Sequence, residues 1–150
     1  QALLNKDFKI AADVWSVTSW NELRRDGLAT DRHNLLNPGK QMKAFVTKQL
    51  KRRKGPVIAV SDFMRSVQDQ IAPWVEQDFY SLGTDGFGLS DTRGALRRHF
   101  KVDAESIVIA ALSQLADANE ISNRKVKKAI KKYQINDVTA ADAGNTEGSG

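Results

Sequence analysis

From Phe79 to Leu115 the chain runs FYSLGTDGFGLSDTRGALRRHFKVDAESIVIAALSQL, and its pattern changes three times. Phe79-Tyr80-Ser81-Leu82 has the aromatic and apolar character of a short strand, and Gly83, Gly86 and Gly88 then fall within six residues. Glycine tolerates positive φ and close backbone approach, so this segment is a turn. Ser90 or Asp91 is placed to cap the helix that follows. That helix is predicted to turn Ala95, Leu96, His99 and Phe100 inward and to point Arg93, Arg97 and Arg98 elsewhere. Gly94 inside it costs about 1 kcal/mol against alanine and blurs its boundary. Asp103 caps a further helix with Ala104, Ile107, Val108, Ala111, Leu112 and Leu115 in its stripe, widened by Ile109 and Ala110. A helix apolar on most sides is buried. A strand, a tight turn and a buried helix in succession constrain the chain to a sheet covered by helices.

The remaining pattern agrees. Residues 1–9 read as the end of a helix. Ile10 to Thr18 alternates as a strand does, and Ser19 with Glu22 forms a capping box for a helix over 20–36. Pro38-Gly39 ends that helix, and a second one is expected over 41–53. Val57-Ile58-Ala59-Val60 is a continuous apolar run, suited to a strand buried on both faces of a parallel sheet. Ser61 or Asp62 is expected to cap a helix carrying Met64, Val67 and Ile71 and stopping before Pro73. A last helix opens at Ser122 with Val126, Ile130 and Tyr133 on one face. Strands alternating with helices define an α/β domain: three layers, with a small, mostly parallel sheet flanked by helices. Residues 1–137 form this domain, and residues 138–150, ending GNTEGSG, are expected to be a disordered tail.

Composition narrows the chemistry. With 150 residues the chain is expected to form one domain. Without cysteine it has no disulfide, thiolate nucleophile or cysteine metal site. No apolar run reaches the roughly 20 residues of a membrane span, and QALLNKDFKI lacks a signal-peptide pattern, so a cytoplasmic location and no membrane partner are expected. The chain begins with Gln1 rather than methionine, as a fragment would. The net charge of +5 is concentrated in 51–54 and 124–132.

Each chemical motif has a structural explanation beside it. The glycine turn is ordered G-x-x-G-x-G rather than G-x-G-x-x-G, and Asp85 and Asp91 would set negative charge beside a phosphate. A structural turn at a subunit contact is the stronger reading. Thr84 separates Gly83 from Asp85, so no Gly-Asp-Gly cofactor motif is present. His99 reads as a packing histidine, and His33 has no second metal ligand at the right spacing. No G-x-S-x-G elbow presents a serine nucleophile. RKVKKAIKKY (124–133) is an amphipathic surface helix; with no reader motif beside it, nucleic acid is disfavoured as a partner. Trp15, Trp20 and Trp74 are core or interface residues.

Four blocks, VWSVTSWNELRRDG (14–27), GPVIAVSDFM (55–64), IAPWV (71–75) and LGTDGFGLSDTR (82–93), resemble in order and spacing the C-terminal domain of the homodimeric pyruvate dehydrogenases, the decarboxylating, acetyl-transferring first components of the pyruvate dehydrogenase complex. The resemblance runs to about Asp137 and implies a transketolase-like C-terminal fold. A further strand precedes residues 1–9 in that family, so the sheet is expected to lack its first strand. The resemblance also implies an enzyme that uses thiamine diphosphate and magnesium to decarboxylate pyruvate and to acetylate the lipoyl group of a dihydrolipoyl acyltransferase partner. The family's cofactor and catalytic histidines lie in preceding domains, so no catalytic, cofactor-binding or metal residue is carried over to this chain, and alone it is expected to be inactive. Its implied task is to buttress a homodimer, with Asp85, Phe87, Asp91 and Arg93 as candidate interface residues. Another 2-oxo acid dehydrogenase, a transketolase-like enzyme and a basic nucleic-acid-binding module are the alternatives.

Overall fold

The computed structural model describes residues 1–141. Its sheet has two strands, β1 (Val57–Val60) and β2 (Phe79–Leu82), paired in parallel with Val57 opposite Phe79 and Val60 opposite Leu82. Parallel neighbours need a crossover connection, and residues 61–78 supply it, with α3 (Arg65–Asp69) and a 3-10 turn at Ala72–Trp74. Upstream lie a π-helical turn at Leu4–Phe8, α1 (Trp20–Leu36) and α2 (Phe45–Leu50). Downstream lie α4 (Arg93–His99), α5 (Ala104–Asp117) and α6 (Asn123–Tyr133).

Side chains alternate across a strand, and the three layers follow. Ile58, Val60 and Leu82 pack with Ile107 and Ala110 of α5, whereas Ser81 bonds to Arg65 and Asp69 of α3 on the opposite face. The sheet is therefore covered by α5 on one side and by α3 on the other. The apolar breadth of α5 is used in full: its other flank, through Val108 and Leu112, forms a second core with Leu4 and Ala129 of α6. A third core joins Ala44, Val46 and Ile71 to Trp20, Leu23 and Trp74. Trp74 lies so close over α1 that a Cβ on Gly27 would stand 2.3 Å from its ring.

Several local expectations hold. The Ser19 hydroxyl accepts from the Glu22 amide at 3.2 Å, and Asp103 caps α5 by accepting from the Ser106 amide at 3.0 Å. Glu22 does not complete a reciprocal box; it pairs with Arg25 at 2.7 Å.

Others are corrected. Ile10–Thr18 is not a strand, and the described sheet has two strands where three were expected. Both alternating sets in that segment carry polar or small residues, so neither makes a continuous apolar face, and Val14, Trp15 and Val17 stay exposed. Arg53 holds the segment from outside, pairing with Asp13 at 3.2 Å and lying over the Trp15 ring. The helix expected over 41–53 is confined to Phe45–Leu50. Ser61 does not cap α3; its Oγ accepts from the Phe63 amide, and the helix begins four residues later. Thr92, not Ser90 or Asp91, caps α4, accepting from the Ala95 amide at 3.2 Å. In α6 the buried position is Ala129, and Ile130 is exposed.

The β1–β2 ladder uses alternate residues. Val57 donates to the Asp78 carbonyl at 2.8 Å and Ser61 to the Leu82 carbonyl at 3.2 Å. Ile58 and Val60 consequently turn their N–H and C=O groups to the outer edge, where no other strand pairs among the described residues. Of the segment expected to be a tail, Thr139–Ala141 forms a 3-10 turn against α4, and 142–150 lie outside the described residues.

Candidate functional site

The two strands release their chains at the same end of the sheet, and the loops that follow are bonded together. Gly83 must be glycine there: an added Cβ would meet the Phe63 carbonyl oxygen at 2.4 Å and the Arg65 nitrogen at 2.8 Å. That closeness lets the Thr84 amide donate to the Phe63 carbonyl at 2.9 Å and the Thr84 hydroxyl to the Asp62 carbonyl at 2.7 Å. Asp85 adds a third bond, its carboxylate accepting from the Arg65 amide at 2.9 Å. An orphan amide at the start of α3 is thus satisfied from another loop. Gly86 then turns the chain with φ +99°.

Beyond this root the loop stands in solvent. Phe87 is 95% exposed and Leu89 53%, and on the neighbouring loop Phe63 is 60% and Met64 57% exposed. Four large apolar side chains on two stitched loops form the kind of surface that marks a contact site. Of the four candidate interface residues three lie on the loop after β2 and Arg93 begins α4, and they play different local parts. Asp85 fastens the loop, Phe87 forms its apolar tip, Asp91 accepts from the Thr92 amide at 2.7 Å, and Arg93 opens α4 on the exposed side.

The helix after the loop reverses an expectation. His99 is exposed, with its ring edge-on to Phe100 at 5.0 Å, and Arg98 is buried. The guanidinium binds Asp103, lies 3.4 Å from Glu105 and donates to the Tyr133 carbonyl at 3.0 Å. A buried cation needs matched donors, and here the cap and first turn of α5 and the end of α6 supply the acceptors. No spacing within α4 signals this, because the acceptors come from later elements.

A second polar tie fixes the N-terminal turn. Asp7 pairs with Lys132 at 2.6 Å and accepts from the Tyr133 hydroxyl at 2.7 Å. The Lys132 bond, with the Tyr133 bond second, holds the Asp7 carboxyl below its ordinary range. Burial, then the bond to Asp7, pushes the Tyr133 hydroxyl well above its ordinary value.

The residues present do not fit a thiamine diphosphate–magnesium site. Among the described residues no group of three or more histidine, cysteine or carboxylate side chains could hold a metal ion. The glycine loop would offer a diphosphate the acidic Asp85 and Asp91, and its root amide at Thr84 is already bonded. No described helix is long and apolar enough to cross a membrane.

Such a molecule is an α/β domain with an exposed apolar loop at the carboxyl ends of its strands. The sequence model of the transketolase-like TK C-terminal domain matches residues 1–103, and the chain belongs to that family. It is 52% identical over 140 residues to the pyruvate dehydrogenase E1 component of Mycolicibacterium smegmatis, covering 93% of this chain and 15% of that protein. It is 53% identical over 135 residues to the protein of the same name in Pseudomonas aeruginosa, covering 89% and 15%. To that of Escherichia coli K12 it is 42% identical over 134 residues, again covering 89% and 15%. The chain spans about 15% of the length of the curated relatives it matches.

Proposed function

We propose that this chain is the C-terminal assembly domain of a thiamine diphosphate-dependent pyruvate dehydrogenase of the homodimeric type. The enzyme would decarboxylate pyruvate and transfer the acetyl group to the lipoyl arm of a dihydrolipoyl acyltransferase, in the cytoplasm. One observation carries the enzyme reading: 52% identity to a pyruvate dehydrogenase E1 component extends over 93% of the chain. The donor set found here suits neither the cofactor nor its magnesium, so no catalytic step is assigned to these residues. Their role is support, with Phe87 and its neighbours contacting the other subunit or the preceding domains.

Two measurements test this. In the full-length enzyme Phe87→Ala should weaken the dimer in sedimentation equilibrium, with activity falling at low protein concentration and recovering at high; unchanged dimer affinity removes the interface role. The isolated chain should show no rise in melting temperature with thiamine diphosphate and magnesium, since a ligand that binds the native state raises it by mass action. A clear rise would overturn the assignment of the cofactor to other domains. The competing basic-module reading rests on the exposed Arg124, Lys125, Lys127, Lys128 and Lys131 of α6. Salt-dependent binding of random duplex DNA by the chain would favour it.

A further inference from the structure

Beside the loop after β2 lies an open cleft of about 300 Å³, separate from the apolar tip. Its walls come from two parts of the chain that meet only in the fold. One part contributes Arg65, Tyr80, Ser81 and Asp85, and the α4–α5 corner contributes His99 and Lys101. The volume is at the lower end of small-ligand sites. The position, outside the carboxyl ends of parallel strands, is where open α/β sheets bind ligands.

The charges have a definite arrangement. Ser81 is 2% exposed, accepts from the Arg65 Nε at 3.3 Å and donates to the Asp69 carboxylate at 2.5 Å. The guanidinium also lies over the Tyr80 ring, 5.7 Å from its centroid. These contacts hold the arginine by its Nε and its face. No hydrogen bond or ion pair to another residue occupies its two terminal nitrogens among the described residues. The carboxylates nearby keep their charge but accept from neutral groups, Asp69 from the Ser81 hydroxyl and Asp85 from the Arg65 backbone amide, and neither forms an ion pair with the guanidinium. Lys101 lines the same cleft without an ion pair among the described residues. A forked donor and an ammonium in one cleft suit a doubly charged oxyanion, because guanidinium binds two oxygens at once and ammonium binds as a point charge.

We propose that this cleft binds a small metabolite bearing a doubly charged oxyanion head, either a phosphate monoester or a dicarboxylate. Arg65 takes two of its oxygens, Lys101 another, and His99 adds a third donor. Tyr80 forms an apolar wall for the body of the ligand. The site needs neither cofactor chemistry nor a partner subunit, so it stands or falls separately from the assembly role.

The test is calorimetric titration of the 150-residue chain with glycerol 3-phosphate and, separately, with malonate. Saturable one-to-one binding of either supports the site, and the tighter probe identifies the source of the oxyanion. Arg65→Gln and Lys101→Gln should each weaken binding about tenfold, while Lys127→Gln on exposed α6 should leave it unchanged. Amide resonances of Ser81 and Lys101 in the unsubstituted chain should shift along the same titration, which keeps the test valid if a variant folds poorly. Absence of saturable binding by both probes overturns the proposal. So does equal weakening by Lys127→Gln, which would mark general attraction to a basic protein, and so does a titration that moves neither amide.

Discussion

Arg98 and Asp103 form an ion pair inside the protein, their side chains keeping 2% and 10% of their exposure. Asp103 also caps α5, so a single carboxylate both starts that helix and neutralises the cation that joins it to α4 and α6.

Breaking such a pair is more costly than never having built it, because the remaining charge stays buried without a partner. Arg98→Ala should destabilise the chain by about 3–5 kcal/mol in urea unfolding. Arg98→Met with Asp103→Asn, which keeps an oxygen for the cap and removes both charges, should recover part of that loss. An unchanged midpoint in Arg98→Ala would show that the pair does not hold the three helices together.

The two strand-end loops give a paired prediction. Gly83→Ala drives its new methyl into backbone atoms of residues 63–65, which cannot rotate away. It should cost about 1–3 kcal/mol, as overpacking does. Gly88→Ala meets nothing within 4 Å. It should be neutral or stabilise by up to about 1 kcal/mol through the unfolded chain. Thermal melts of the two variants check this; equal destabilisation would contradict the close approach at Gly83.

The tie of Asp7 to α6 should be visible in the pH dependence of stability. Its carboxyl is lowered from 3.8. Its contribution is therefore present above the unfolded value and lost as pH falls through the folded one. Tyr133 is raised from 10.0, so its contribution is present below that pH and lost as pH rises above it. Asp7→Asn should flatten the acid limb below about pH 4 and shrink the alkaline limb. Urea midpoints measured across pH would fail to bear this out if both limbs kept their slopes.

Gln134 ends α6 in the left-handed region, with φ 47° and ψ 47°. That conformation costs a residue with a Cβ about 1 kcal/mol or more, and glycine much less. Gln134→Gly should raise the melting temperature by about 2–4 °C. A lower melting temperature would mean that the glutamine side chain supplies a contact worth more than the strain.

The parts legible in the sequence were those specified by neighbours along the chain. Val57–Val60 and Phe79–Leu82 show as apolar runs between turn residues, and Ser19 and Asp103 precede the amides that they cap. Arg98 was illegible because its acceptors arrive five and more residues later, from α5 and α6, and periodicity assigns a charged residue to solvent. Ile10–Thr18 misled in the opposite sense: alternation suggested a strand, but strand formation requires a partner backbone, which no local pattern reveals. In the loop after β2 three glycines announce a turn, whereas the reason for Gly83, the carbonyl of Phe63, lies twenty residues away. The cleft has no sequence signature, since Arg65 and Lys101 are ordinary surface cations until the fold brings α3 and the α4–α5 corner to one cleft.

The half-used ladder of β1 has a kinetic consequence. The Ala59 amide points into the strand pair and should exchange its hydrogen only when the sheet opens, whereas its neighbours Ile58 and Val60 should exchange orders of magnitude faster. Side-chain burial runs in the same order, Ala59 being buried and Ile58 and Val60 half-buried, so it is the size of the difference that reports the ladder. It also makes those two amides sensors: any backbone that comes to lie along the outer edge of β1 must slow both of them together, and a contact made only through side chains must leave them fast.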